Sequence, residues 1–466
     1  MSGSRIEHDA MGDVILPEEA YWGAETQRAV ENFRISGWRL PPEFIRAIAI
    51  IKRSAAVVAR EMNILHDETI SDAIIAAADE VIEGLHPGQF PLDVFQTGSG
   101  TSTNMNLNEV LANRAAEIKG GARGQKHVHP NDDVNICQSS NDVIPTAMNV
   151  SAAVQIRATL IPSLEKLHAS LAAKASKFDR IPKIGRTHLQ DATPVTLGQE
   201  FSGYARQVEL AIERIRATEP RLHELALGGT AVGTGINTAP GFPARTIAEI
   251  SRYTGISFRE AKNHFEAQAA RDVIVELSGQ LRVVAVSLRK IADDIRWMSS
   301  GPESGLFELL LPALQPGSSI MPGKVNPVIP EMVMQVSAQV IGHDAAIAAA
   351  GSIANFELCT AMPMMAANLL DEIMLLANAA ESFASRCVDG IKANEEKMRS
   401  LADASSALST SLVPVLGHDE AVRIAKIAKA EHTTVKAIVL RENLLSPERA
   451  AELLEPLNLT KPFRAQ

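Results

Sequence analysis

Aromatic side chains are scarce in this sequence: 13 Phe, 3 Tyr and 3 Trp make up 4% of the 466 residues, while 46% are hydrophobic overall. Ala, Leu, Ile, Val and Met must therefore supply most of the core. That balance favours helix over sheet, because strands are enriched in aromatic and β-branched side chains. Cysteine is scarcer still. Cys137, Cys359 and Cys387 are too few and too scattered for a disulfide framework or a tetrahedral metal site, and they form no Cys-x-x-Cys pair. Their odd number fits a reducing compartment. Long apolar runs are missing too: none reaches the ~18 residues that suggest a membrane span. The N-terminus, with Glu7, His8 and Asp9, holds no apolar stretch of signal-peptide length. A soluble, cytoplasmic protein is expected. Nor is there an excess of positive charge. With 45 Lys and Arg against 55 Asp and Glu the net charge is −10, without long blocks of one sign. A broad nucleic-acid footprint needs a basic stripe, so neither nucleic acid nor membrane is an expected partner. An acidic chain that handles an anion must gather its few cations locally, which directs attention to Lys, Arg and His in loops.

Between Gly-, Ser- and Asn-rich, loop-like segments near 97–106, 129–142, 185–194, 228–240 and 299–327 lie long helical patterns. The clearest spans 268–297, where Ile274, Leu277, Leu281, Val284, Leu288, Ile291 and Ile295 alternate spacings of three and four. This is a heptad seam, and the helix carrying it would be roughly 45 Å long. A second seam runs through Phe201, Tyr204, Val208, Ala211 and Ile215, with Pro194 near the expected helix start. The segment 147–178 is helix-like but carries Pro162, which predicts a kink or break. Another helix is expected to begin after Pro330, at Glu331. The first ~140 residues mix short elements with loops, and the chain beyond about Asn394 reads as short helices broken by Pro447 and Pro456. Helices so long and apolar imply an extended bundle, and the breadth of their stripes points to neighbouring subunits completing the core, the alternative being a large monomeric bundle. The expected division is three domains: a mixed N-terminal domain over 1–139, a long-helix bundle over 140–394 and a small helical domain over 395–466.

Several segments could carry chemistry. Pro316-Gly317-Ser318-Ser319-Ile320-Met321-Pro322-Gly323-Lys324-Val325-Asn326-Pro327 combines two hydroxyls, an ammonium, an amide and glycine-freed backbone N–H groups, a set suited to an anionic oxygen cluster. Its bland reading is a flexible linker. His188, in Gly185-Arg186-Thr187-His188, can act as a general acid/base in a loop before a helix. The alternative is a histidine that caps the turn. Glu331 is a candidate carboxylate to orient it. Thr97 through Asn106 and Gln138-Ser139-Ser140-Asn141-Asp142 are rich in donors for carboxylates, though Ser, Thr and Asn also serve as ordinary helix caps. Neither segment has a phosphate-loop pattern. His127, His129, Asp132 and Asp133 lie close together, but no HExxH or DxDxDG pattern accompanies them and Pro130 forces a turn. No metal and no cofactor is expected.

Taken together, these segments resemble one family. PGSSIMPGKVNP resembles the signature loop of the fumarase/aspartase superfamily, GSSxMPxKxN. TGSGTSTNMNLNEV, HPNDDVN, QSSNDVIPTAM, GRTHLQDATPVTLGQEFSGYARQ, ELALGGTAVGTGIN and FEAQAARD resemble class II fumarate hydratases in the same order, as does the opening RIEHDAMGDVILPEEAYWGAETQRAVENF. The likeness weakens beyond about residue 355. It implies a mainly α, three-domain subunit whose central domain gives five long helices to a tetramer core, with active sites formed where three subunits converge. It implies reversible hydration of fumarate to L-malate, a step of the tricarboxylic acid cycle, through an aci-carboxylate carbanion. In that scheme Ser318 is the base, Lys324 and Asn326 hold the substrate carboxylate, and His188 with Glu331 handles water. Ser99, Gly100, Thr101, Ser139, Ser140, Asn141, Thr187 and Ser319 complete the substrate site, and His129, Pro130, Asn131 and Asp132 match a secondary carboxylate site.

The nearest rival on this scaffold is aspartate ammonia-lyase. Gly323 and the Ser139-Ser140 pair favour water as the eliminated group, whereas Val328-Ile329-Pro330-Glu331 reads more like an aspartase. A catalytically silent structural homologue is a rival of another class; the intact set Ser318, Lys324, Asn326, His188 and Glu331 speaks against it. Two places depart from the family pattern: Cys359 stands where Asn is usual, and Leu416-Gly417-His418, with Val413 before Pro414, replaces the usual C-terminal segment.

Overall fold

The computed structural model describes residues 3–65 and 67–462. The chain is mainly α, and its longer helices are α1 (Pro42–Glu61), α2 (Glu68–Ile82), α3 (Thr101–Ile118), α4 (Ser140–Gln155), α5 (Ile161–Lys177), α6 (Leu197–Arg216), α7 (Asp272–Met298), α8 (Val328–Gly351) and α9 (Met362–Arg386). Sheet is limited, among the described residues, to two-stranded pairs. They include the antiparallel hairpins β1 (Ser4–Asp9) with β2 (Gly12–Pro17) and β3 (Pro182–Thr187) with β4 (Gln190–Thr196). No helix among the described residues is long and apolar enough to cross a membrane.

The chain divides into two compact units. One takes in residues through Pro162, Glu213–Ala285 and Ala338–Ala377; the other takes in Ser163–Ile212, Val286–Ser337 and the chain from Asn378 onward. Each boundary falls inside a helix, namely α5, α6, α7, α8 and α9. In the first unit, Phe44, Ile48 and Ile51 of α1 and Ile74 of α2 are fully buried. In the second, Phe178, Phe201 and Tyr204 stack edge to face, and the Tyr204 hydroxyl donates to Asp294 at 2.8 Å. The short C-terminal helices bury a separate cluster that includes Leu408, Leu412, Ile424, Ile438 and Val439.

Both seams are buried as their spacing requires: each of the seven α7 residues and each of the five α6 residues is at most 1% exposed. Boundaries differ in four places. α6 begins at Leu197, because Pro194 lies in β4, where the edge of a two-stranded hairpin tolerates a residue without an N–H. α8 begins at Val328 and takes Pro330 into its first turn, where proline's missing donor has no intrahelical partner to lose. The break near Pro162 is a π-helical turn, Ile156–Leu160, joining α4 to α5. Gln268 belongs to a separate short helix, His264–Ala269. The N-terminal region is also more regular than its polar patches suggest, since residues 101–106 already form the first turns of α3.

Candidate active site

In the first unit, close backbone packing presents the hydroxyl-rich segments at helix starts. Gly98 carries the 97–100 turn past the segment around Thr360: its carbonyl accepts from Met362 N at 3.0 Å, and a Cβ there would meet Thr360 O at 1.9 Å. Gly100, the residue before α3, is left-handed with φ 76°, which costs glycine little. Ser99 Oγ and Thr101 Oγ1 are 2.8 Å apart, so one donates to the other and one proton stays free for a further acceptor. α4 starts with a reciprocal capping box. Asn141 N donates to Ser139 Oγ at 3.2 Å, and Ser139 N donates to Asp142 Oδ1 at 2.9 Å. Asp142 is fully buried and its other oxygen accepts from Gly228 N and Thr230 N, both at 3.0 Å. Burial raises its pKa, against these donors. Ser140 Oγ accepts from Asn104 Nδ2 at 3.1 Å, which leaves its own proton to donate elsewhere. The Asn141 amide donates to Ala231 O at 2.8 Å.

His129 caps a π-helical turn, Pro130–Val134. Its Nδ1 accepts from Asn131 N at 3.3 Å and Asp132 N at 3.1 Å, which makes it the acceptor nitrogen of the ring. With Asn131, Pro130, Lys126 and Glu25 it lines a cavity of about 220 Å³. Glu109 lies on the same wall and accepts from Gly23 N, Glu25 N and Thr26 N; burial nevertheless pushes its carboxyl up to about 7.

In the second unit, residues 317–326 close on themselves. Gly317 N donates to Lys324 O at 2.7 Å, and Asn326 Nδ2 donates to Gly317 O at 2.8 Å. Inside this loop Ser318 Oγ accepts from Ile320 N at 3.1 Å and Met321 N at 2.9 Å. Ser319 is exposed beside it. Lys324 is exposed and, among the described residues, its ammonium makes no ion pair or hydrogen bond. Lys324, Asn326 and Glu331 line one cavity of about 590 Å³ with Arg296, Trp297 and Leu309. Glu331 stands in the first turn of α8, where the helix dipole favours an anion.

Thr187 and His188 are at the exposed tip of the β3–β4 hairpin rather than in a loop before a helix. Thr187 pairs with Gln190 across a two-residue turn in which His188 (φ 56°) and Leu189 (φ 59°) are both left-handed. This turn geometry normally selects Gly or Asn, so its appearance at His188 marks a conformation imposed by the surrounding fold. Below the tip, Glu308 is fully buried and grips Arg186 through two bonds of 2.9 and 3.0 Å, with Lys183 at 3.4 Å. His188 and Glu331 share no hydrogen bond or ion pair within one chain among the described residues.

Sequence reasoning passed over Glu308 and Arg186, which pair with each other, and Lys52, fully buried and bonded to Gln138 just before Ser139. Lys52 could have been found: it falls on the apolar face of α1, four residues from Ile48 and from Ala56. Among the described residues no group of three His, Cys, Asp or Glu side chains could hold a metal ion.

Comparison with known proteins brings these parts into one frame. Residues 12–342 match a family described as "Lyase", and residues 408–461 match one described as "Fumarase C C-terminus". The chain is 55% identical over 452 residues to the class II fumarate hydratase of Mycobacterium tuberculosis (strain H37Rv), covering 97% of this chain and 94% of that protein. It is 50% identical to the mitochondrial fumarate hydratase of Rattus norvegicus, covering 98% and 90%. The solved class II fumarase of Schistosoma mansoni superposes with a TM-score of 0.96 at 38% identity, covering 99% of this chain and all of that one.

Proposed function

The chain belongs to the class II fumarate hydratases within the fumarase/aspartase lyases, and we propose that it interconverts fumarate and L-malate by trans addition and elimination of water. One observation carries the chemistry: two backbone N–H groups donate to Ser318 Oγ. A serine hydroxyl is a poor base, and donors aimed at its oxygen lower the energy of the alkoxide that must form. In the direction of elimination, the Ser318 alkoxide takes the C3 proton of malate. The electron pair left on C3 delocalises into the adjacent carboxylate as an aci-carboxylate. Lys324 and Asn326 hold that carboxylate, so their charge and dipole act where negative charge grows. The C2 hydroxyl then leaves as water on taking a proton from the His188–Glu331 pair, and the C2–C3 double bond closes. Ser99, Thr101, Ser139, Ser140, Asn141, Thr187 and Ser319 supply the remaining donors, with Gly100 shaping their turn. The His129–Asp132 segment is a secondary carboxylate site, supported by the cavity at His129.

The same reading makes the protein a cytoplasmic homotetramer, with three domains divided as 1–139, 140–394 and 395–466. Five long helices per chain build the tetramer's core, and each active site draws on three chains. Exposed apolar side chains support assembly: Ile320 is 85% exposed, Phe356 91% and Leu189 66% in the single chain. It is consistent with a pair formed between chains that, among the described residues, His188 and Glu331 share no hydrogen bond or ion pair within one chain.

Fumarate absorbs in the ultraviolet, so its formation from L-malate and from L-aspartate, each in excess chelator, tests the reading directly. Malate is expected to be converted, with chelator making no difference. Conversion of aspartate alone would move the chain to the ammonia-lyases, and no conversion of either would leave the silent homologue standing.

A further inference from the structure

Lys52 is fully buried in α1, yet among the described residues its ammonium makes no ion pair with a carboxylate. It donates to Asn135 Oδ1 at 2.7 Å and Gln138 Oε1 at 3.0 Å. Burying a charge against amides alone is costly, and burial accordingly pulls the Lys52 pKa down to about 7, with Asp142 the carboxylate opposing that shift.

What the lysine fixes is direction. In its charged form an ammonium has donors and no acceptor, so the atoms facing it are then oxygens. Asn135 Oδ1 therefore points at Lys52, and the same oxygen accepts from Asn104 Nδ2 and Asn108 Nδ2, both at 3.2 Å. Asn104 is fully buried and its Nδ2 also donates to Ser140 Oγ. Ser140 Oγ, occupied as an acceptor, has its proton left to give outward. Asn135 Nδ2 donates to Gln138 O at 3.2 Å, which ties the same hub to the residue before Ser139.

We infer that Lys52 is a positioning residue that sets the polarity of a buried relay, Lys52 to Asn135 to Asn104 to Ser140, so that the Ser140 hydroxyl faces the substrate as a donor. With an apolar residue at 52, Asn135 is free to turn its amide. Asn104 can then present Oδ1 to Ser140, which turns its proton inward and is lost to a substrate carboxylate. This inference rests on the reading of Ser140 as a carboxylate donor and deepens it.

The test compares Lys52→Met, Asn104→Ala, Ser140→Ala and the Lys52→Met/Ser140→Ala double variant of the full chain, measuring kcat and KM for L-malate together with thermal unfolding. Loss of one donor to a charged group is expected to raise KM about tenfold in each single variant, with kcat within about threefold. The double variant is expected to match Ser140→Ala alone, because two changes on one relay do not add. An unchanged KM in Lys52→Met, or fully additive effects, overturns the inference. Should Lys52→Met not fold, Asn104→Ala decides, since it cuts the relay while leaving the lysine with both its acceptors. A Ser140→Ala variant with unchanged KM would sink the substrate-donor reading itself, and the relay with it.

Discussion

A serine in water ionises far above neutrality, so a Ser318 base depends on what surrounds its oxygen. The two N–H donors from Ile320 and Met321 are the structure's answer, and neither is legible in a residue string. What the string does show is donor supply: Gly317, Ser318, Ser319, Lys324 and Asn326 within ten positions have little use in a core. It cannot show that Gly317 lets the loop close, since a Cβ there would lie 2.8 Å from Lys324 O. Removing the hydroxyl removes the proposed base and leaves the loop's own hydrogen bonds to Lys324 and Asn326 intact. Ser318→Ala is therefore expected to lower kcat by about 100-fold or more while leaving the melting temperature within about 1 °C. Full activity in that variant would refute the base assignment. Gly98 offers a contrasting case, because alanine there drives a methyl into Thr360 O. Gly98→Ala is expected to move Ser99 and lower both thermal stability and affinity for malate, a coupled loss that Ser318→Ala should not show.

Among elements, the long helices were the most legible, and for a physical reason. A heptad seam requires one face to be buried whatever covers it, and Leu277, Leu281, Val284 and Leu288 are each no more than 1% exposed. The β3–β4 hairpin was not legible. Its turn uses His188 and Leu189 in left-handed conformations instead of the Asn or Gly that would have announced it. Nor does periodicity reveal the carboxyl pair carried between the helices of the first unit. Ser278 of α7 donates to Asp344 of α8 at 3.0 Å and lies 3.0 Å from Glu372 of α9 as well. Arg282 pairs with Asp344, and Glu372 Oε2 is left buried without a partner among the described residues. Burial, with Asp344 beside it, pushes the Glu372 carboxyl up to about 9. The folded state thus keeps a proton that the unfolded chain releases near pH 4.5, so stability from this group falls as pH rises between those values and is gone above about 9. Glu372→Gln keeps the neutral shape and removes the titration. Its melting temperature relative to the parent is expected to rise from pH 6 to pH 9 by about 2 °C or more. A difference that stays flat across that range would show Glu372 to be ionised in the fold.

For the whole molecule the open issue is where one chain's active site ends. The loop with Ser318, Lys324 and Asn326 and the hairpin with His188 belong to the same unit, yet among the described residues His188 shares no hydrogen bond or ion pair with Glu331 in one chain. If the catalytic groups of one site come from different chains, the solution particle must have several times the 50.0 kDa chain mass, and four times is expected by light scattering. Mass alone would not prove shared sites; mixing does. His188→Asn and Ser318→Ala chains, each inactive by itself, can be unfolded together and refolded at equal concentration. In a randomly assembled tetramer, a site that takes His188 from one chain and Ser318 from another is intact when the first is a Ser318→Ala chain and the second a His188→Asn chain. That happens in about a quarter of sites, so about a quarter of the parent activity should return. Sites confined to single chains recover nothing, because every chain lacks one group. Return of activity well above the sum of the separately refolded variants therefore places His188 and Ser318 of one site on two chains, and its absence in mixed tetramers of the right mass puts both on one.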